Sequence, residues 1–117
     1  MIGQLLVGLI AVLHVYILVL EMFLWDKPAG LKAFTNTPEK AQLTKVLAQN
    51  QGLYNGFLAA GLFWSLIAPE TYAVALANFF LGCVLIAGIY GGLTASKKII
   101  YIQSIPAVIA LIAVNCF

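Results

Sequence analysis

The chain has 117 residues, of which 63% are apolar and 9% charged, with a formal net charge of +2 and a mean hydropathy of +1.03. Globular domains carry about 45–50% apolar and about 25% charged residues, so this composition excludes an ordinary soluble domain and places the chain in a membrane. A helix that spans hydrocarbon takes ~20 mostly apolar residues, which leaves a chain of this length room for four crossings and no separate soluble domain.

The first predicted helix runs from about residue 2 to 24. No Lys or Arg precedes it and it carries His14 and Glu21, so it lacks the basic start and cleavage pattern of a signal peptide and is expected to be retained. Trp25-Asp26-Lys27-Pro28 closes it with an interfacial aromatic, two charges and a proline. The connection over residues 25–45 carries Lys27, Lys32, Lys40 and Lys45, with Leu31 and Phe34 as surface anchors. Within it, Thr37-Pro38-Glu39 reads as a helix start: an N-cap, a first-position proline and an acid in the first turn. The second span covers about 46–67, and Ala68-Pro69-Glu70-Thr71 forms a tight turn into the third, about 71–95. Ser96-Lys97-Lys98 leads to the fourth, about 99–117, where Pro106 cannot bond the Ile102 carbonyl and should bend the helix. The expectation is an all-α membrane protein, a single four-transmembrane-helix bundle over residues 1–117.

Lysines set the orientation. The first and third connections hold all six basic residues and the second holds none, so the positive-inside rule puts the lysine-bearing connections in the cytoplasm and both termini on the other side. Loop lysines against anionic lipid headgroups account for the net charge, and no nucleic-acid partner is called for. Trp25 then falls at the inner interface, with Trp64 and Tyr72 at the outer one.

Depth brings the polar residues of the first two spans together. Glu21 lies about one turn inside the cytoplasmic boundary and His14 about 15 Å from it. In the second span, Asn50 and Gln51 reach the depth of Glu21, and Asn55 that of His14. At about 100° per residue, His14, Leu18, Glu21 and Trp25 share one stripe, and Gln51, Tyr54 and Asn55 another. The two stripes imply a shared polar interior, to which Tyr90, Thr94, Gln103 and Ser104 could add from the same half. Gln49 is expected to face a headgroup, and Asn78 and Asn115 fall toward the outside. Beside the amides, Gly52, Gly56 and Ala60 repeat at four residues, as do Gly88 and Gly92, or Ala87 and Gly91, on the third span. Such faces permit close helix contact, within one chain or in a homo-oligomer.

HVYILVLEMFLWDKP, from His14 to Pro28, and LAQNQGLYNGFLAAGL, from Leu47 to Leu62, resemble a family of small bacterial integral membrane proteins classed as a domain of unknown function. The resemblance covers essentially the whole chain. It implies a four-helix, multi-pass protein of the cell inner membrane, with His14, Glu21, Trp25, Asn50, Gln51, Tyr54 and Asn55 in its signature positions. It implies no activity.

Several chemistries can be set aside from residue types and spacing. Cys83 and Cys116 are far apart and form no CxxC, so they read as small apolar packing residues. One His, one carboxylate and neutral amides do not make a usual metal set, no nucleotide or phosphate loop is present, and no cofactor is implied. His14 and Glu21, seven residues apart, are separated by about 10 Å of helix rise and cannot bond directly. An acid inside the membrane is a functional candidate because an acid at helix centre costs about 2.5–3.5 kcal/mol on insertion scales. Amides can donate to its carboxylate or accept from its protonated form. The reading that follows is a cytoplasm-facing polar pocket, built from His14, Glu21, Trp25, Asn50, Gln51, Tyr54 and Asn55. It would bind, and pass or sense, a small polar, amphipathic or lipid-like solute. Two alternatives stand beside it: an intramembrane enzyme using His14 and Glu21 as acid and base on a lipid-like substrate, and a structural or accessory subunit whose amides are interhelical glue.

Overall fold

A computed structural model describes residues 1–116. The described chain is all-α: α1 (Ile2–Met22), α2 (Pro28–Ala33), α3 (Pro38–Ile67), α4 (Glu70–Thr94) and α5 (Ile105–Cys116), the last entered through a π-helical turn at Ile100–Ser104. Two helices, α1 and α4, are long and apolar enough to cross a membrane, and the stretch Ile100–Cys116 is apolar but shorter. Large apolar side chains lie exposed along all three, including Leu5, Leu9, Phe79, Ile86, Leu93, Ile109 and Ile112. A soluble monomer rarely exposes contiguous apolar surface on this scale.

The helix ends follow from local chemistry. Thr37 caps α3: its Oγ1 accepts the Lys40 N–H at 3.3 Å, with Pro38 behind it as the first helical residue. Ser96 does the same for the last helical stretch, accepting the Lys98 N–H at 3.3 Å. The connection after α1 holds a short helix, α2, that the run of lysines does not announce. Pro28 opens it, and it closes through Thr35, whose φ of 51° lets the Asn36 N–H return to the Leu31 carbonyl at 2.8 Å. Gly30 is required inside α2, because any Cβ there would stand on the Leu24 carbonyl.

The chain forms two compact units, one of Met1–Ala11 with Leu58 onward, the other of Val12–Phe57. The first has a core of Val7, Ile10, Ala11, Leu62, Ala77, Leu81, Val84, Ala107 and Ala110. Its alanines, Ala11, Ala77, Ala107 and Ala110, are small enough to let helices approach one another. Glycines make that packing close. Gly88 lies against Ser104, and Gly92 against Ile100, so these glycines are used between α4 and the stretch leading into α5 of the same chain.

Polar groups in this unit are spent locally. Ser104 Oγ donates to the Leu85 carbonyl at 3.1 Å and Thr94 Oγ1 to the Tyr90 carbonyl at 2.7 Å. Asn78 and Asn115 donate to each other, at 3.1 and 2.7 Å, and the Asn115 amide also reaches the Leu111 carbonyl at 2.8 Å. A local change of helix type precedes Pro106. The Ile105 N–H bonds the Ile100 carbonyl, one residue further back than in an α-helix. The helix widens by one residue just before the proline, whose missing N–H falls within the altered ladder.

A methyl group at Gly88 would meet the Ser104 backbone nitrogen at 2.8 Å, whereas one at Gly82 would meet nothing within 4 Å. Gly88→Ala should therefore lower the thermal stability of the detergent-solubilised protein by about 1–3 kcal/mol, the usual cost of overpacking. Gly82→Ala should leave it unchanged or slightly raised. Equal melting temperatures for the two variants would contradict the contact.

Candidate functional site

All seven signature residues lie in the unit Val12–Phe57. Within it, the segments of α1 and α3 meet through small residues. A Cβ on Gly52 would lie 3.1 Å from the Glu21 Cβ and 3.2 Å from the Leu18 carbonyl oxygen, and one on Gly56 would lie 2.6 Å from the Leu18 Cδ1. The glycine face that could have joined two chains is thus occupied inside one. Ala48 and Gly52 are buried on this side of α3, and Asn55 falls on the same side.

That arrangement brings Asn55 onto Glu21. The Asn55 Nδ2 donates to Glu21 Oε1 at 2.5 Å, and both side chains are buried, at 8% and 6% exposure. An amide that donates to a carboxyl oxygen makes a short bond that strengthens when the acid is ionised. His14, two turns back along α1 on the same stripe as Glu21, is completely buried. Every buried side-chain nitrogen and oxygen among the described residues has a hydrogen-bond partner.

The other four signature residues are placed elsewhere. Asn50 is exposed and donates to the Val46 carbonyl of its own helix at 3.0 Å. Gln51 is exposed, and Tyr54, at 63% exposure, meets the Phe57 ring edge-on at 5.7 Å. With the inward face centred between Ala48, Gly52 and Asn55, the helical wheel puts Gln51 roughly 70°, Tyr54 roughly 130° and Asn50 roughly 170° away. Trp25 lies beyond the end of α1. Its Nε1 donates to Thr44 Oγ1 at 3.1 Å and its ring packs on Phe34 at 4.9 Å. Of the two stripes, His14–Leu18–Glu21 faces inward as expected, and only Asn55 joins it from the amides.

The residues that sequence reasoning passed over lie where the connection after α1 meets the start of α3. Asp26 Oδ2 accepts from Lys45 Nζ and from Gln42 Nε2, both at 3.1 Å. The Lys45 ammonium bonded to it holds the Asp26 carboxyl below its usual pKa. A lowered folded-state value means that this support is present above the ordinary carboxylate pKa and is lost as pH falls through the folded one. With the Trp25–Thr44 bond, the pair ties the loop after α1 to the first turns of α3. Asp26 and Lys45 are nineteen residues apart, and the signal for them was only opposite charge at the two ends of one connection.

The pattern of a family described as proteins of unknown function, DUF1304, matches residues 8–115. The chain belongs to this family. An uncharacterized protein of Lactococcus lactis subsp. lactis, YpaA, is 31% identical over 107 residues, which is 90% of this chain and 89% of its own length. No solved structure matches the chain.

Removing the Asn55 amide would leave a buried carboxylate without its donor, at a cost of about 1–3 kcal/mol. Asn55→Leu should destabilise the solubilised protein by that amount, while Asn50→Leu, on an exposed face, should change stability by less than about 0.5 kcal/mol. Thermal unfolding of the two variants side by side measures the difference, and a reversed order would mean that Asn50 rather than Asn55 supports Glu21.

Proposed function

We propose that this DUF1304 chain is a multi-pass protein of the cell inner membrane. In this reading it crosses four times, through α1, the part of α3 after residue 45, α4 and Ile100–Cys116. The lysine-bearing connections face the cytoplasm and both termini lie outside. Its functional centre is the polar site of His14, Glu21 and Asn55, which binds a small polar or amphipathic solute from the cytoplasmic side and couples its passage or sensing to the protonation of Glu21. One observation carries this reading: a carboxylate and the chain's single histidine are buried on one stripe of an apolar helix, with the Asn55 amide aimed at the carboxylate. Buried ionisable groups in such a helix are costly and mark solute or proton paths far more often than they serve packing alone.

A second reading has its own support. The buried side-chain polar atoms among the described residues are all paired, as they would be if Asn55 and Glu21 were a clamp between two helices in a structural subunit.

Glu21→Gln separates the two. It keeps the shape and hydrogen bonding of the side chain and removes its titration, so a clamp survives it and proton coupling does not. Mass spectrometry of the purified protein should find a co-purifying metabolite or lipid whose retention changes between about pH 5 and pH 8, across the range where buried acids and histidines titrate. In Glu21→Gln that pH dependence should vanish while folding and insertion persist. Identical retention in both proteins across that range would favour the clamp. The topology has its own test: a reporter active only in the cytoplasm should be silent when fused after Phe117, and activity there would invert the orientation.

A further inference from the structure

A half-open cavity of about 170 Å³ lies in the unit of Met1–Ala11 and Leu58 onward, lined by none of the acid–amide residues. The start of α1, the end of α3, the start of α4 and the end of α5 wall it, through small or slender residues that include Gly3, Val7, Ala77 and Ala113. Two polar side chains, Gln4 and Ser65, also line it. Apolar cavities of about 150 Å³ in proteins take up benzene, so this volume suits a molecule of about seven or eight heavy atoms.

Ser65 gives the space a chemical preference. It is 7% exposed, and its hydroxyl donates to the Leu62 carbonyl at 2.6 Å. With its single hydrogen committed, Ser65 Oγ offers only lone pairs to an occupant. A molecule that donates a hydrogen bond gains a partner at Ser65 that an occupant without a donor lacks. Ser65 also sits two residues before the end of α3. Beside it Trp64 meets Tyr72 edge-on at 6.4 Å, a pairing of amphipathic rings typical of the interface, where small amphiphiles concentrate.

We propose that this cavity is a binding site for a small neutral hydroxyl-bearing molecule of phenol size, whose apolar body lies between α1, α4 and α5 and whose hydroxyl donates to Ser65 Oγ. The site is independent of Glu21 and of any solute bound there.

Fluorine NMR titrations of the full-length protein in micelles test it with 4-fluorophenol and 4-fluorotoluene, which differ only in a hydroxyl replaced by a methyl group. Both should bind saturably above the partition into empty micelles, 4-fluorophenol about fivefold more tightly, the factor contributed by one neutral hydrogen bond. Ser65→Ala, which keeps the space, should bind the two equally. Ala77→Leu, which fills it, should leave only micelle partition for both, and Ala113→Leu serves the same purpose should the first variant fail to fold. No saturable binding to the parent protein, equal affinity for the two probes, or a preference that survives Ser65→Ala would each overturn the proposal.

Discussion

Gly52 has the backbone of another helix pressed against it. A Cβ on it would meet the Met22 Cγ at 2.6 Å and come within 3.1 Å of the Glu21 Cβ and 3.2 Å of the Leu18 carbonyl oxygen, and the rest of the polar site depends on that approach. Surfaces of small residues are those that let helix backbones come closest. Gly52 and Gly56 provide such a surface on α3, and they fix its rotation against α1. Asn55 lies on the glycine side and is carried onto Glu21. Asn50, on the opposite side, is carried away from it.

This explains which parts of the site could be read from sequence. Apolar runs and their breaks place the helices closely. The expected 2–24, 71–95 and 99–117 stand against Ile2–Met22, Glu70–Thr94 and the stretch ending at Cys116, and the Thr37-Pro38 start of α3 is where its capping chemistry puts it. The His14–Leu18–Glu21 stripe was legible because its neighbours on the wheel are bulky and apolar. The 100° spacing puts Gln51, Tyr54 and Asn55 on one stripe, but of the three only Asn55 is buried, so polarity does not define the inward face of α3. Size defines that face instead. Centring it on Ala48 and Gly52 gives Asn55 alone. The lysine-rich connection was harder still, since α2 rests on a single left-handed residue, Thr35, and on Gly30 meeting a carbonyl six residues back. Neither leaves a periodic trace.

The two ends of the polar inventory play different parts. Near Asp26, Lys45 and Trp25 the bonds are between exposed or half-buried groups, and each is weak by itself because water competes for it. The bond between Asn55 and Glu21 is shielded, so it gains more from its partner and loses more without it. A protein this small has few ways to hold a loop in place while keeping an acid away from water. Here the connection from α1 to α3 does the first with surface charge, and the helix contact does the second with glycine.

The π-helical turn and the paired asparagines have a joint consequence for the end of the chain. Hydrogen bonding at Ile100–Ser104 spans five residues rather than four, which accommodates one residue more than an α-helix of the same length would and turns everything after it by about 100°. Asn115 comes eleven residues later and meets Asn78 amide to amide, in both directions. Asn115 therefore reaches Asn78 with that extra residue already accommodated upstream of it, and the amide pair fastens the far end of α5 to α4 in the register that the widened turn sets.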